Sequence, residues 1–179
     1  MSTDSLLRTL RHHLFADPSR KVYAILDGCQ IEDLPAWLKS SQVVCACLFD
    51  GPLDPMLEAA APQIVTLAGD QPMTEAILRE GWNKQWGVFL LTPARIDISA
   101  LRQHLRSLLM VDLPGGRHAL FRFYDPRAFK AVLPHLSQRQ RSALFGPISA
   151  WLMEGNSVDT ALCFEPGQGA EGRELQLSQ

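Results

Sequence analysis

Four short apolar runs constrain this chain more than any other feature: VYAIL at 22–26, VVCACLF at 43–49, IVTLA at 64–68 and WGVFLLT at 86–92. Each has the length of one strand. The first three end in a turn dipeptide, Asp27-Gly28, Asp50-Gly51 and Gly69-Asp70, and unbroken apolar runs closed in this way belong to strands buried on both faces. Residues 34–39 and 73–80 leave room for helices between them. Strand alternating with helix predicts an α/β fold, with a mixed, largely parallel central sheet flanked by helices.

The remaining segments fill in that frame. Leu6, Leu7, Leu10 and Leu14 recur at helical spacing, so 5–15 reads as an amphipathic helix that Asp17-Pro18 stops. Ile98, Leu101, Leu105, Leu108 and Leu109 do the same over 98–109, with Asp97 or Ser99 as the cap. MVDL and HALFRFY flank Pro114-Gly115-Gly116 and predict a hairpin. Two short helices, 127–133 and 137–144, make a small helical sub-lobe near 126–146, and ISAWLM with VDTALCF forms a last strand pair around Gly155-Asn156. No linker interrupts the pattern. The expectation is one domain over 1–165 and a flexible, glycine-rich tail over 166–179.

Charge narrows the function classes. A net charge of -2 and a pI near 6.2 give the whole chain no electrostatic case for wrapping nucleic acid or coating an anionic membrane. Its distribution is uneven: 27–80 carries nine acidic and two basic residues, whereas 95–146 carries nine basic and three acidic. Such a dipole reads either as a surface that discriminates partners or as two oppositely solvated faces. No run approaches the roughly 20 apolar residues of a membrane span, and MSTDSLLRTLRHHLF, short of the continuous apolar run and small-residue cleavage site of a secretory signal, is not expected to act as one. Cys29, Cys45, Cys47 and Cys163 lie in apolar surroundings without a C-x-x-C pair. A cytoplasmic protein with free, buried thiols is expected.

Three acids at strand ends, Asp27, Asp50 and Asp70, are the most enzyme-like feature. Clustered there, they would suit a metal-dependent phosphotransfer or hydrolase domain, although Asp-Gly is also a common way to leave a strand. The sequence has no G-x-S-x-G, H-E-x-x-H, P-loop or G-x-G-x-x-G motif. His12 and His13 point about 100° apart on their helix, and His104 beside Arg102 and Arg106 reads as solvated. No catalytic residue, cofactor or metal site is therefore expected. In FRFYDPR, alternation puts Phe121 and Phe123 on one strand face and Arg122 with Tyr124 on the other, while Asp125-Pro126 closes the strand and opens a helix. An Arg122 to Asp125 ion pair would fix this corner.

From VYAILDG through APQIVTL, WNKQWGVFLLT, LRQHLRSLLMV, FRFYDPR and LFGPISAW, in order over 22–151, the chain resembles the bacterial adaptor chaperones of type VI secretion. That resemblance implies a non-enzymatic protein that binds a toxic effector in the cytoplasm and helps load it onto the spike protein VgrG. The residues themselves suggest where a partner sits. Arg102 and Arg106 lie side by side on the exposed face of helix 98–109, Arg95 enters that helix, and Arg127, Arg139 and Arg141 occupy the following helical pieces. Arginine outnumbers lysine eight to one between 95 and 146, and arginine is the cation that interfaces favour. A convergent basic surface for an acidic patch competes with scattered solubilising charge, and the helix over 5–15 is the other candidate surface.

Overall fold

The computed structural model describes residues 3–113 and 115–177. In chain order the elements are α1 (Thr3–Phe15), β1 (Arg20–Leu26), α2 (Leu34–Ser40), β2 (Cys45–Cys47), α3 (Pro55–Ala60), β3 (Gln63–Leu67), α4 (Pro72–Gly81), β4 (Gly87–Pro93), α5 (Ile98–Leu108), β5 (Met110–Leu113), β6 (Arg117–Leu120), α6 (Pro126–Val132), a 3-10 turn (Leu133–His135), α7 (Gln138–Phe145), β7 (Ala150–Glu154), β8 (Thr160–Phe164) and β9 (Arg173–Gln176). Side-chain caps mark several helix starts. Asp54, Asp97, Asp125 and Ser137 each accept a backbone N–H of the first turn.

One seven-stranded sheet runs β2-β3-β1-β4-β7-β8-β9, and every neighbouring pair in it is antiparallel. This overturns the largely parallel sheet expected from the strand and helix alternation. The connections show why. β1 and β2, joined through α2, do run in the same direction, but β3 lies between them; β3 and β4, joined through α4, also share a direction, with β1 between them. Crossover helices thus link like-directed strands that never pair. An apolar run reports burial on two faces and carries no information about the direction of its neighbours.

Alternation along the strands splits the core in two. Val22, Ala24, Leu26, Val65, Leu67, Phe89 and Leu91 pack under α1, α2 and α4. Tyr23, Ile25, Ile64, Val88, Leu90, Trp151 and Phe164 pack under α5, α6 and α7. The helices expected to form a sub-lobe therefore belong to the layer covering the second face, anchored by Phe129, Leu133, Leu144 and Phe145.

Three smaller expectations also change. The VVCACLF run yields only the three-residue edge strand β2, with Val44 62% exposed. Of the four cysteines only Cys163 is buried, while Cys29 and Cys45 are exposed. The stretch from Pro166, read as a flexible tail, contributes β9, which pairs with β8 and buries Leu175, and Leu177 is buried just beyond it. Among the described residues no helix is long and apolar enough to cross a membrane.

Candidate functional site

Asp27 leaves β1 at the centre of a buried corner. Its N–H donates to the Trp86 carbonyl at 2.8 Å, and its own carbonyl accepts from Gln30 N at 2.9 Å. The following Gly28 is required by close approach, since a Cβ there would stand 2.4 Å from the Ala59 carbonyl oxygen. The Asp27 side chain is 1% exposed. One carboxylate oxygen accepts from Cys29 N at 3.0 Å and the other from Arg122 Nη2 at 2.5 Å. Arg122 also stands over the Tyr124 ring, 5.9 Å from its centroid. Burial, with the Asp27 charge close by, pushes the Tyr124 hydroxyl up to about 12.

The expected Arg122 to Asp125 pair does not form. β6 ends at Leu120, so FRFY is not a strand, and Phe121, Phe123 and Tyr124 all enter one core. Arg122 then turns to β1, and Asp125 takes a different arginine. Its two oxygens receive Arg127 Nε at 3.0 Å and Nη2 at 2.9 Å, and one of them also caps α6 through Arg127 N. Burial alone would raise the Asp125 carboxyl; the Arg127 bonds reverse this and hold it below the usual range. Pro126 starts α6 as expected.

The second feature is an open cleft of about 730 Å³ between α5, the end of β2 and the β5–β6 hairpin. Arg102 Nε donates to the Cys47 carbonyl at 2.5 Å and its Nη2 to the Phe49 carbonyl at 3.0 Å. Asp50 accepts from Arg106 Nη2 at 2.7 Å and from Arg102 Nη2 at 3.4 Å. Those bonds, that from Arg106 foremost, hold the Asp50 carboxyl below its ordinary range. Ser99, Gln103 and Ser107 of α5 share the walls with apolar Leu48, Leu109, Met110 and Leu120. Met110 and Leu120, directly opposite across the hairpin, are 57% and 46% exposed.

Of the six arginines nominated from the sequence, Arg102 and Arg106 line this cleft, and neither is the free exposed charge that was expected. Arg127 is engaged by Asp125, Arg95 is exposed ahead of α5, and Arg139 and Arg141 lie on α7. The strand-end acids do not assemble. Asp27 and Asp50 follow like-directed strands, Asp70 follows the opposed β3 and so lies at the far end of the sheet, and among the described residues no group of three His, Cys, Asp or Glu is placed to hold a metal. His104, expected in solvent, is half-buried: its Nε2 lies 3.2 Å from the Leu144 carbonyl and its ring presses on Gly146. Burial lowers its pKa.

Two things escaped the sequence reading. The sequence marks Asp27 as a strand-end acid, yet nothing in it links Asp27 to Arg122, 95 residues away. The exposure of Met110 and Leu120 did have a signal, because an isolated two-stranded hairpin cannot bury both of its faces. Compared with known proteins, residues 22–143 match the family described as Domain of unknown function (DUF4123). No curated protein and no solved structure matches the chain.

Proposed function

The chain belongs to the DUF4123 family, and we propose that it is a non-enzymatic adaptor chaperone that binds a type VI secretion effector in the cytoplasm and helps load it onto the VgrG spike. The family match covers most of the segments on which the resemblance to such adaptors rests. The observation that carries the reading furthest is the open cleft. It joins a polar floor of Arg102, Arg106 and Asp50 to a rim of exposed Met110 and Leu120; exposed apolar patches mark interaction sites, and methionine and arginine are enriched at protein interfaces. The metal-dependent phosphotransfer alternative needs Asp27, Asp50 and Asp70 together, and the antiparallel order of β1 and β3 keeps Asp70 apart.

Arg102 bonds two carbonyls of the chain itself, so reversing its charge would disturb the end of β2 as well as any partner. The hairpin rim is the cleaner target. Full-length protein carrying Met110→Thr and Leu120→Thr, a polar pair that suits opposite positions of a hairpin, co-expressed with an effector and VgrG from its own genome, should keep the wild-type melting temperature and fail to co-purify the effector. Undiminished capture by a folded double variant would remove the cleft from the binding surface.

A further inference from the structure

A second groove, of about 640 Å³, lies on the other helical layer and is lined by Ile31, Glu32, Asp33, Trp37, Glu80 and Trp86, among others. Trp37 on α2 and Trp86 at the entrance to β4 are both half-buried and meet edge to face, with centroids 5.8 Å apart. Their inner edges pack on the core under α1, α2 and α4, which fixes the rings while leaving indole surface open to the groove.

The three carboxylates of the groove differ from most others in the fold. Asp27, Asp50, Glu75 and Asp125 each hold an arginine of the same chain. Glu32, Asp33 and Glu80 are exposed, and none has an ion pair or side-chain hydrogen bond among the described residues. Asp33 does not even cap the α2 helix that it precedes.

The chain also supplies an internal sample of what such a place attracts. Lys84 Nζ stands over the Trp86 ring, 5.6 Å from its centroid. An indole face draws cations by its quadrupole, and it draws guanidinium especially well because the planar group stacks while its N–H groups remain free for carboxylates. The loop that presents Trp86 is held from beneath, since the Glu154 carboxylate of β7 accepts Gln85 N at 2.8 Å.

From this combination we infer that the Trp37–Trp86 groove is a receptor for an arginine side chain on a basic segment of a partner protein, stacked on indole and paired with Glu32, Asp33 and Glu80. The inference does not depend on the effector reading, because it holds for whichever protein brings the guanidinium. It does give the chain two recognition surfaces of opposite preference on opposite layers.

The test uses the intact chain, isotopically labelled at the tryptophan indoles, titrated with the capped peptide Gly-Arg-Arg-Gly and with the same peptide carrying citrulline for arginine. The arginine peptide should shift the indole N–H signals of Trp37 and Trp86 saturably, leave buried Trp151 still, and lose its effect at high salt. Citrulline, which keeps the shape without the charge, should bind far more weakly. Glu32→Gln, Asp33→Asn and Glu80→Gln together preserve side-chain size, and Asn tolerates the left-handed backbone at 33 (φ 52). This triple variant should bind roughly five- to tenfold more weakly, as three exposed pairs imply. Stationary Trp37 and Trp86 signals, equal shifts with citrulline, or a folded triple variant with wild-type affinity would each overturn the assignment.

Discussion

Asp27 and Asp50 stand in the same sequence context, an apolar run followed by Asp-Gly, at the same end of the sheet, and each receives arginine from the basic stretch 95–146. Yet the Asp27 side chain is 1% exposed and that of Asp50 61%. Position in the sheet makes the difference. Asp27 leaves β1, which is flanked by β3 and β4, whereas Asp50 leaves the edge strand β2. One local signature therefore produces a buried lock in one place and a solvent-screened clamp beside an open cleft in the other. Part of the sequence dipole closes on itself through these two contacts.

The buried lock should show the largest effect, and an asymmetric one. Arg122→Ala leaves the Asp27 carboxylate buried without its cation, and breaking a buried pair in this way costs about 3–5 kcal/mol. Asp27→Ala should cost less, about 1–3 kcal/mol, because the Arg122 side chain is already 37% exposed and has water within reach. Urea unfolding of both variants measures the order. Equal losses, or none, would mean that the corner is no more a lock than the edge clamp.

α5 sharpens the same contrast with a titratable group. It sends Arg102 and Arg106 into the open cleft but directs His104 onto the end of α7. Burial lowers the His104 pKa, so below the ordinary histidine value of about 6.5 the unfolded chain takes up a proton that the native chain resists. His104 thus stabilises the fold fully above that pH and progressively less as pH falls. His104→Asn should flatten the acid side of the stability profile. Parallel wild-type and variant profiles between pH 7.5 and 5, read by chemical denaturation, would place the ring in free solvent.

Local features were legible in the sequence where local physics decides them. The Leu6 to Leu14 stripe, the Asp97 cap and the Pro126 start of α6 follow from periodicity and capping, and all are present. Strand direction was not legible, because β3 inserts between two strands linked by a crossover and nothing in QIVTL records its neighbours. Partner choice failed for a related reason. Arg122 lies three residues from Asp125, and proximity in sequence pairs the two, but β6 stops early and a contact 95 residues away in sequence forms instead. The Trp37 and Trp86 pair was invisible because its two halves come from different helical and strand elements.

The smallest effect on stability should come from the exposed member of the pair, and there the comparison becomes functional. Among the described residues Asp50 is the one carboxylate lining the cleft of Arg102 and Arg106, and exposed ion pairs add little to folding. Asp50→Asn should therefore leave the unfolding midpoint essentially where it is. It should nonetheless loosen the Arg106 guanidinium toward the cleft, while Arg102 stays on the Cys47 and Phe49 carbonyls, and make the floor more basic by one charge. If an effector docks through an acidic segment, the chemistry that arginines on a cleft floor would suit, this variant should capture it faster and several-fold more tightly at low salt, with the gain fading as salt approaches physiological strength. A partner that engages Met110 and Leu120 alone would bind the variant and the wild type equally, which would assign the cleft floor to β2 and its rim to recognition. A loss of stability matching that of Arg122→Ala would abolish the distinction between the buried and the edge aspartate.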